Sequence, residues 1–422
     1  MKIITLKDVL MVIQRTLDSM DDRLVGHGEK VAYIMHKLLK CHGGYSHEEI
    51  LRLITLAVFH DIGAYKIEER DRIIDIDLDI PMNHSVYGYL FITYFSPLSD
   101  LADIVLGHHL YPKDFIDSGK INISKEALML NLADKIAVLQ LNFNKVDPMW
   151  ILNKSSDDIL EEHKDLFKKA CDEYDLLKKI EDDTYLSELY EIFEKRELSR
   201  SEIISYVRML NYAIDFRSKS TILHTITVEE ISWQISKIMG LDDNKSTTIK
   251  IAAMLHDIGK LSIPVNILEK KGSLTEEEFE VIKSHAIIGY NILSDIGIDD
   301  IRDIATLHHE KLNGTGYPFG LKDDQISKES RIVAVADILS ALIGKRSYKD
   351  EFSKDKVISI LSNMASNYAI DRDICNLVIE NYDYIEEKVK INTKETIDLY
   401  NNLMNEYEEI LDYFEKVGFA LK

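Results

Sequence analysis

The sequence predicts an all-α protein made of two duplicated domains joined by helical connecting segments. Three observations carry that prediction. Prolines number six in 422 residues and glycines rarely cluster, so long stretches run without a breaker, which suits helices and not the turn-rich pattern of an all-β chain. Ten of the fourteen histidines fall into two sets of five with nearly the same order and spacing. Between the sets, residues 157–201 are rich in Glu, Lys and Leu at helical spacing, as in LEEHKDLFKKACDEYDLL, and contain neither Pro nor Gly.

The bulk composition agrees and excludes several classes. A chain of 422 residues is long enough for two or three cores, at roughly 100–200 residues per domain. With 45% apolar and 29% charged residues it has the balance of a globular protein and not of a disordered one. A formal net charge of −22 repels phosphate polymers, so DNA and RNA are not expected partners. Cys41, Cys171 and Cys375 are widely spaced and form no CxxC pair, which argues against a disulfide framework and a thiolate zinc site and for a reducing compartment. The start, MKIITLKDVL, lacks a signal-peptide layout, and the most apolar stretch, Ile50 to Phe59, is short and contains Arg52. The expected location is cytoplasmic, with no membrane span.

Along the chain, the first set comprises His27, His60-Asp61, His84, His108-His109 and Asp134; the second comprises His224, His256-Asp257, His285, His308-His309 and Asp337. With the last step counted from the second histidine of each pair, the spacings run 33, 24, 24, 25 and 32, 29, 23, 28. Flanking residues repeat too: FHDIG matches LHDIG, Gly-Tyr follows both His84 and His285, and LADKIAVL matches VADILSAL. A repeat of about 200 residues means duplicated domains and not a solenoid, whose units run roughly 20–50. The expected division is 1–145 for the first domain, 146–215 for a helical connector and 216–422 for the second domain. His36, His42, His47 and His163 fit neither set.

In the second set, His256 and Asp257 follow the apolar run IKIAAML and precede Gly259, which suits a helix end. Neighbours on a helix project about 100° apart, so such a pair can reach two adjacent metals with the carboxylate between them. Imidazole nitrogen and carboxylate oxygen suit iron, manganese or zinc. One buried histidine is more often satisfied by a backbone carbonyl than by a metal; the ordered set, repeated within one chain, outweighs that reading.

These residues resemble the HD metal phosphohydrolase superfamily, and HHEKLNGTGYP, His308 to Pro318, resembles the HD-GYP signature of cyclic-di-GMP phosphodiesterases. The likeness is strong from about His224 to Lys349 and includes HDIGKLSIP, SHAIIGY and VADILSAL followed by KRSYK. It implies two HD-type helical bundles. It also implies that two divalent metals, iron or manganese, are held by His224, His256, Asp257, His285, His308, His309 and Asp337, with a bridging hydroxide that attacks phosphorus. Three-metal relatives carry a glutamate four residues before the first histidine; Ser220 stands there, which favours two metals. Asp257 and Lys260 are expected to carry the catalysis, Lys260 lying one helical turn from His256 with its ammonium toward a phosphate. Arg346 and Lys349 are expected to grip the non-reacting phosphate, a task suited to the arginine fork. The glycines around Tyr317 permit a tight turn that offers this ring to guanine or phosphate. Glu310 is expected to orient a histidine.

The first set keeps the seven ligand types, His27, His60, Asp61, His84, His108, His109 and Asp134, but not the substrate groups. Ala64 replaces the lysine, Leu110-Tyr111-Pro112 follows the histidine pair without Glu or Gly-Thr-Gly, and no arginine follows Asp134 at the matching step. Three readings stand open, with the first favoured: a metal-loaded regulatory or structural domain, a second active site for another phosphate ester, or an empty relic. The expected function is metal-dependent hydrolysis of cyclic-di-GMP in the second domain, with mixed cyclic GMP-AMP as the alternative substrate. A nucleotide sensor without turnover is the non-enzymatic alternative. The expected partner is the cyclic dinucleotide, and a homodimer is left open.

Overall fold

A computed structural model describes residues 3–19, 25–64, 82–110, 124–142, 159–215, 219–268, 270, 272–344 and 352–416. The all-α class holds: the described residues form helices and no strands, the nearest approach being the isolated bridges Thr5–Glu197 and Asn313–Lys322. None of these helices is long and apolar enough to cross a membrane. The chain divides into two compact units. One comprises residues 1–4, 11–20 and 199–402, the other residues 5–10, 21–198 and 403–422. They are called the C-terminal and N-terminal units below.

In the N-terminal unit, α1 (Leu6–Asp18) contributes its first turn, and α2 (His27–His42), α3 (His47–Val58), α4 (Met82–Phe95), α5 (Ala102–Leu106) and α6 (Lys125–Asn142) follow in order. Helix α2 is the central member and packs against both α3 and α6. It is buried on nearly every side, Val31 through Leu39 included, as a helix at the centre of a core is; Ile54 and Leu130 are buried on those two neighbours. Helix α3 starts sharply because Ser46 and Glu49 form a reciprocal capping box. The Glu/Lys/Leu-rich segment forms α7 (Glu161–Tyr174), α8 (Leu176–Glu181) and α9 (Tyr185–Glu194), which pack on α2 through buried Phe167, Leu176 and Leu189.

The C-terminal unit repeats the scheme with α10 (Arg200–Asp215), α11 (Lys219–Ile238), α12 (Asp243–Leu255), α13 (Val265–Leu268), α14 (Glu276–Leu293), α15 (Asp299–Thr306) and α16 (Lys328–Ile343). Helix α11 is central here, packed against α12 and α16, while α12 packs on α15 and α14 on α15. The boundaries are written in side chains: Asp242 and Ser327 cap α12 and α16, and Thr275 with Glu278 forms a capping box on α14. Helices α17 (Lys354–Ser366), α18 (Arg372–Glu380) and α19 (Tyr382–Lys416) complete the described chain. The last turns of α19 count with the N-terminal unit, where Tyr407 stacks on Tyr87 at 4.1 Å and Glu406 accepts from Tyr94.

Candidate metal centres

Each unit brings its own seven side chains to one point, and five elements do it in the same order. In the C-terminal unit His224 comes from α11, His256-Asp257 from the end of α12, His285 from α14, His308-His309 from the end of α15 and Asp337 from α16. In the N-terminal unit the same roles fall to α2, the end of α3, α4, the end of α5 and α6.

The local fold aims the rings. His256, His285 and His308 each hold Nδ1 within 2.6–2.7 Å of the carbonyl three residues earlier, at Ala253, Ile282 and Ala305. Donation there makes Nδ1 the protonated nitrogen and turns bare Nε2 inward. His60 and His108 do the same toward Ala57 and Val105. His224 Nδ1 instead meets the Ser340 hydroxyl at 2.9 Å, a partner from α16 that no sequence motif announces.

The geometry is that of a carboxylate shared between two imidazole groups. Asp257 Oδ2 lies 3.6 Å from His224 Nε2 and 3.0 Å from His256 Nε2, while Oδ1 lies 3.5 Å from His285 Nε2 and 4.0 Å from His308 Nε2. Asp337 lies 3.2 Å from His224 and, through its other oxygen, 3.9 Å from His309. The N-terminal unit repeats this division: Asp61 Oδ2 faces His27 and His60 at 3.5 and 3.3 Å, and Oδ1 faces His84 and His108 at 3.6 and 3.9 Å. Asp134 lies 3.1 Å from His27, and His109 lies beside His84.

In both sets the carboxylates are held ionised while the histidines divide: against burial, the neighbouring carboxylates raise His256, His27 and His60, and burial lowers the others of each set. Burial pushes His309 down to about 4, and burial with His309 and His256 as neighbours holds His308 well below its ordinary value, so these two imidazoles are neutral at neutral pH. Burial alone would raise Asp257 and Asp337, but the surrounding histidines, with Lys260 beside Asp257, hold both well below the usual carboxylate range. Neutral imidazoles and ionised carboxylates are the protonation states that bind metal. The buried Nε2 of His256 has no hydrogen-bond partner among the described residues, nor do His27 Nε2, His60 Nε2, His108 Nε2 and Asp134 Oδ1 in the other unit. Polar atoms this deep are costly without a partner, and divalent cations fit what the clusters lack.

Several sequence expectations change in detail. Helix α12 ends at Leu255, so His256 is its C-cap and Asp257 lies beyond it, at the head of a 3₁₀ turn, Ile258–Ser262. Gly259 is therefore no helix cap. A Cβ there would stand 2.0 Å from the His285 carbonyl oxygen, so the bare residue is what lets this turn touch α14. Lys260 is one 3₁₀ turn from Asp257 and not an α-turn from His256. Side chains three apart eclipse in a 3₁₀ turn, and the Lys260 ammonium pairs with Asp257 Oδ2 instead of pointing outward.

Glu310 does not orient a histidine: its carboxylate accepts the backbone N–H groups of Phe319, Gly320 and Leu321 and so pins the loop that carries Tyr317. Gly316 is needed because a Cβ there would lie 2.4–2.6 Å from the backbone of Lys311, Glu310 and His309. Tyr317 rests on the His309 ring at 4.6 Å. Lys283, two residues before His285, brings its ammonium 5.7 Å from the Tyr317 ring centre; its short spacing from His285 on α14 was the available signal. Arg346, Lys349, Tyr111 and Pro112 lie outside the described residues, as does the side chain of Ser220.

Replacing Glu310 with Ala removes three charge-assisted hydrogen bonds from one loop, each worth roughly 1.5–3 kcal/mol. The expected result is a KM raised about tenfold with unchanged metal content, since 1.4 kcal/mol is a factor of ten in binding. Steady-state kinetics beside a metal count checks it.

Comparison with known proteins follows the duplication. The chain matches the HD domain family over residues 24–139 and again over 199–374. The second match contains the HHE-to-GYP segment, whose Glu310 and Gly316 hold Tyr317 against a histidine of the centre. The chain belongs to the HD-GYP family. This HD-GYP protein is 26% identical over 399 residues to the 3'3'-cGAMP-specific phosphodiesterase 1 of Vibrio cholerae, an alignment covering 90% of this chain and 92% of the relative. A cyclic di-GMP phosphodiesterase of Thermotoga maritima is 41% identical over 163 residues, 38% of this chain and 44% of that one. The crystal structure of a cyclic GMP-AMP specific phosphodiesterase from V. cholerae shares the fold with a TM-score of 0.58 at 17% identity, over 90% of this chain and 98% of the other.

Proposed function

We propose that the C-terminal unit is a metal-dependent cyclic-dinucleotide phosphodiesterase whose first substrate is cyclic-di-GMP. The observation that carries this is Asp257, with one carboxylate oxygen turned to each of two imidazole groups, beside a family-specific loop that presents Tyr317. Two divalent cations, iron or manganese, held by His224, His256, Asp257, His285, His308, His309 and Asp337, would acidify water and neutralise charge growing on phosphoryl oxygens.

The chain's own groups do the rest. Backbone carbonyls keep the Nε2 atoms of His256, His285 and His308 bare and turned inward, toward where cations would sit. Lys260 sits next to Asp257 with a quarter of its side chain exposed and supplies positive charge where a phosphate would enter. Tyr317, braced on His309 and near Lys283, offers a ring face to a base. Arg346 and Lys349 keep, from sequence alone, the role of gripping the second phosphate. The N-terminal unit, with Ala64 where the lysine would be, takes no part in cleavage.

Mixed cyclic GMP-AMP is the second reading, favoured by the relative that aligns over both halves and is specific for that nucleotide. The test is to purify the protein anaerobically with manganese or iron and time the loss of cyclic-di-GMP, 3'3'-cyclic GMP-AMP, a nucleoside monophosphate and a nucleoside triphosphate. Faster loss of cyclic-di-GMP supports the first reading, and faster loss of the mixed nucleotide replaces it with the second. Turnover of the monophosphate or triphosphate alone overturns both.

A further inference from the structure

We infer that the N-terminal unit holds its own pair of divalent cations on His27, His60, Asp61, His84, His108, His109 and Asp134, and that it retains them under conditions that strip the C-terminal centre. This centre is a stabilising one, and the inference does not depend on which substrate the other unit cleaves.

The first ground is geometric. Both units divide their ligands alike, yet their unsatisfied atoms differ. His27 Nε2, His60 Nε2, His108 Nε2 and Asp134 Oδ1 all lie buried without a hydrogen-bond partner among the described residues, whereas in the C-terminal set the inward atom in that condition is His256 Nε2. His27 and Asp134 are 3.1 Å apart but misaligned for a hydrogen bond, as ligands facing a common third body would be. His84 and His109 bring their Nε2 atoms to 2.7 Å from each other, so both rings aim at the same space.

The second ground is a single substitution at an equivalent place. Ala64 donates its backbone N–H to the Asp61 carbonyl at 2.9 Å, and Lys260 donates to the Asp257 carbonyl at 2.9 Å, so the two occupy the same step of the same turn. In the C-terminal centre the eclipsed Lys260 ammonium sits on Asp257 Oδ2 and serves as a built-in cation. Metal must compete with it for that oxygen. Ala64 is buried and brings no charge, and the groups that most affect Asp61 and Asp134 are histidines. Two buried carboxylates among imidazoles gain more from a divalent ion where the step that holds a lysine in one centre holds alanine in the other. The same absence of lysine that removes a substrate contact strengthens the hold on metal.

The experiment uses the full chain loaded with manganese(II), a graded series of chelator, metal counting after each step and thermal unfolding in parallel. Asp257→Ala should keep about two manganese ions per chain and Asp61→Ala should keep those of the other centre, the retained pair in Asp257→Ala surviving about tenfold more chelator. Stripping that pair should lower the unfolding temperature of Asp257→Ala. Lys260→Ala should raise the chelator needed to empty the C-terminal centre, and Ala64→Lys should lower it for the N-terminal one. Should Ala64→Lys fail to fold, Lys260→Ala decides the lysine argument by itself. Asp257→Ala chains without metal would overturn the site. Equal retention by the two centres, or retention in Lys260→Ala equal to wild type, would overturn the ranking.

Discussion

Replacing Asp257 with Ala should lower phosphodiester cleavage on the order of a thousandfold or more, the largest single effect in the molecule. No other side chain has one oxygen within 3.0–3.6 Å of His224 and His256 and the other within 3.5–4.0 Å of His285 and His308 among the described C-terminal ligands. Without it the five imidazoles become two half-sites, and Lys260 loses the carboxylate it pairs with beside them. The check is the rate of cyclic-dinucleotide loss by manganese-loaded protein, corrected for folded fraction. Asp61→Ala, which makes the matching change in the N-terminal unit, should lose thermal stability while its folded molecules cleave at a rate of the same order. Equal loss of chemistry in both variants would refute the division of labour between the units.

Gly259→Ala should do comparable damage by another route. The added Cβ would stand 2.0 Å from the His285 carbonyl oxygen and 2.7 Å from the Gly289 nitrogen, both backbone atoms that cannot rotate away. Overpacking costs about 1–3 kcal/mol in ordinary cores, and a clash with backbone belongs at or above the upper end. A change of about 3 kcal/mol corresponds to a fall of roughly 6–12 °C in Tm for a domain of this size. The turn carrying Asp257 and Lys260 would move off the helix carrying His285, so metal content and activity should fall with stability. Gly289→Ala provides the contrast, because its Cβ would meet Ile258 Cγ2 at 3.3 Å and Thr306 Cγ2 at 3.6 Å, methyl groups able to shift. Its Tm should drop less than half as far. Differential scanning calorimetry of the two variants decides, and equal falls would remove the argument from close approach.

Much of the candidate site was legible because ligand chemistry restricts residue type. Few side chains bind divalent cations, so His and Asp at matched spacings stand out twice in one chain, and the second occurrence made the first interpretable. The Glu/Lys/Leu periodicity of residues 157–201 likewise announced helices, since an amphipathic stripe needs only local order to be read. Less legible was what each neighbouring residue touches. Glu310 looked like a support for a histidine because it follows His309; it reaches forward instead to three N–H groups nine to eleven residues on. Lys260 looked as if it stood on an α-helix one turn from His256, but the helix stops at Leu255 and the tighter turn lays its ammonium on Asp257. Gly259 looked like a helix stop, and its purpose appears only with α14 alongside.

By itself the sequence determined the helical class, the duplication and the identity of the fourteen His and Asp side chains in the two sets, because periodicity and donor chemistry are properties of residue type and order. Only the tertiary structure decided which carboxylate oxygen faces which imidazole, that Ser340 orients His224, and that Lys260 and Ala64 stand on one equivalent step with opposite consequences for charge. Those outcomes depend on distances of a few ångströms between segments tens of residues apart, which are set by how α11, α12, α14 and α16 pack and not by any local preference of the chain.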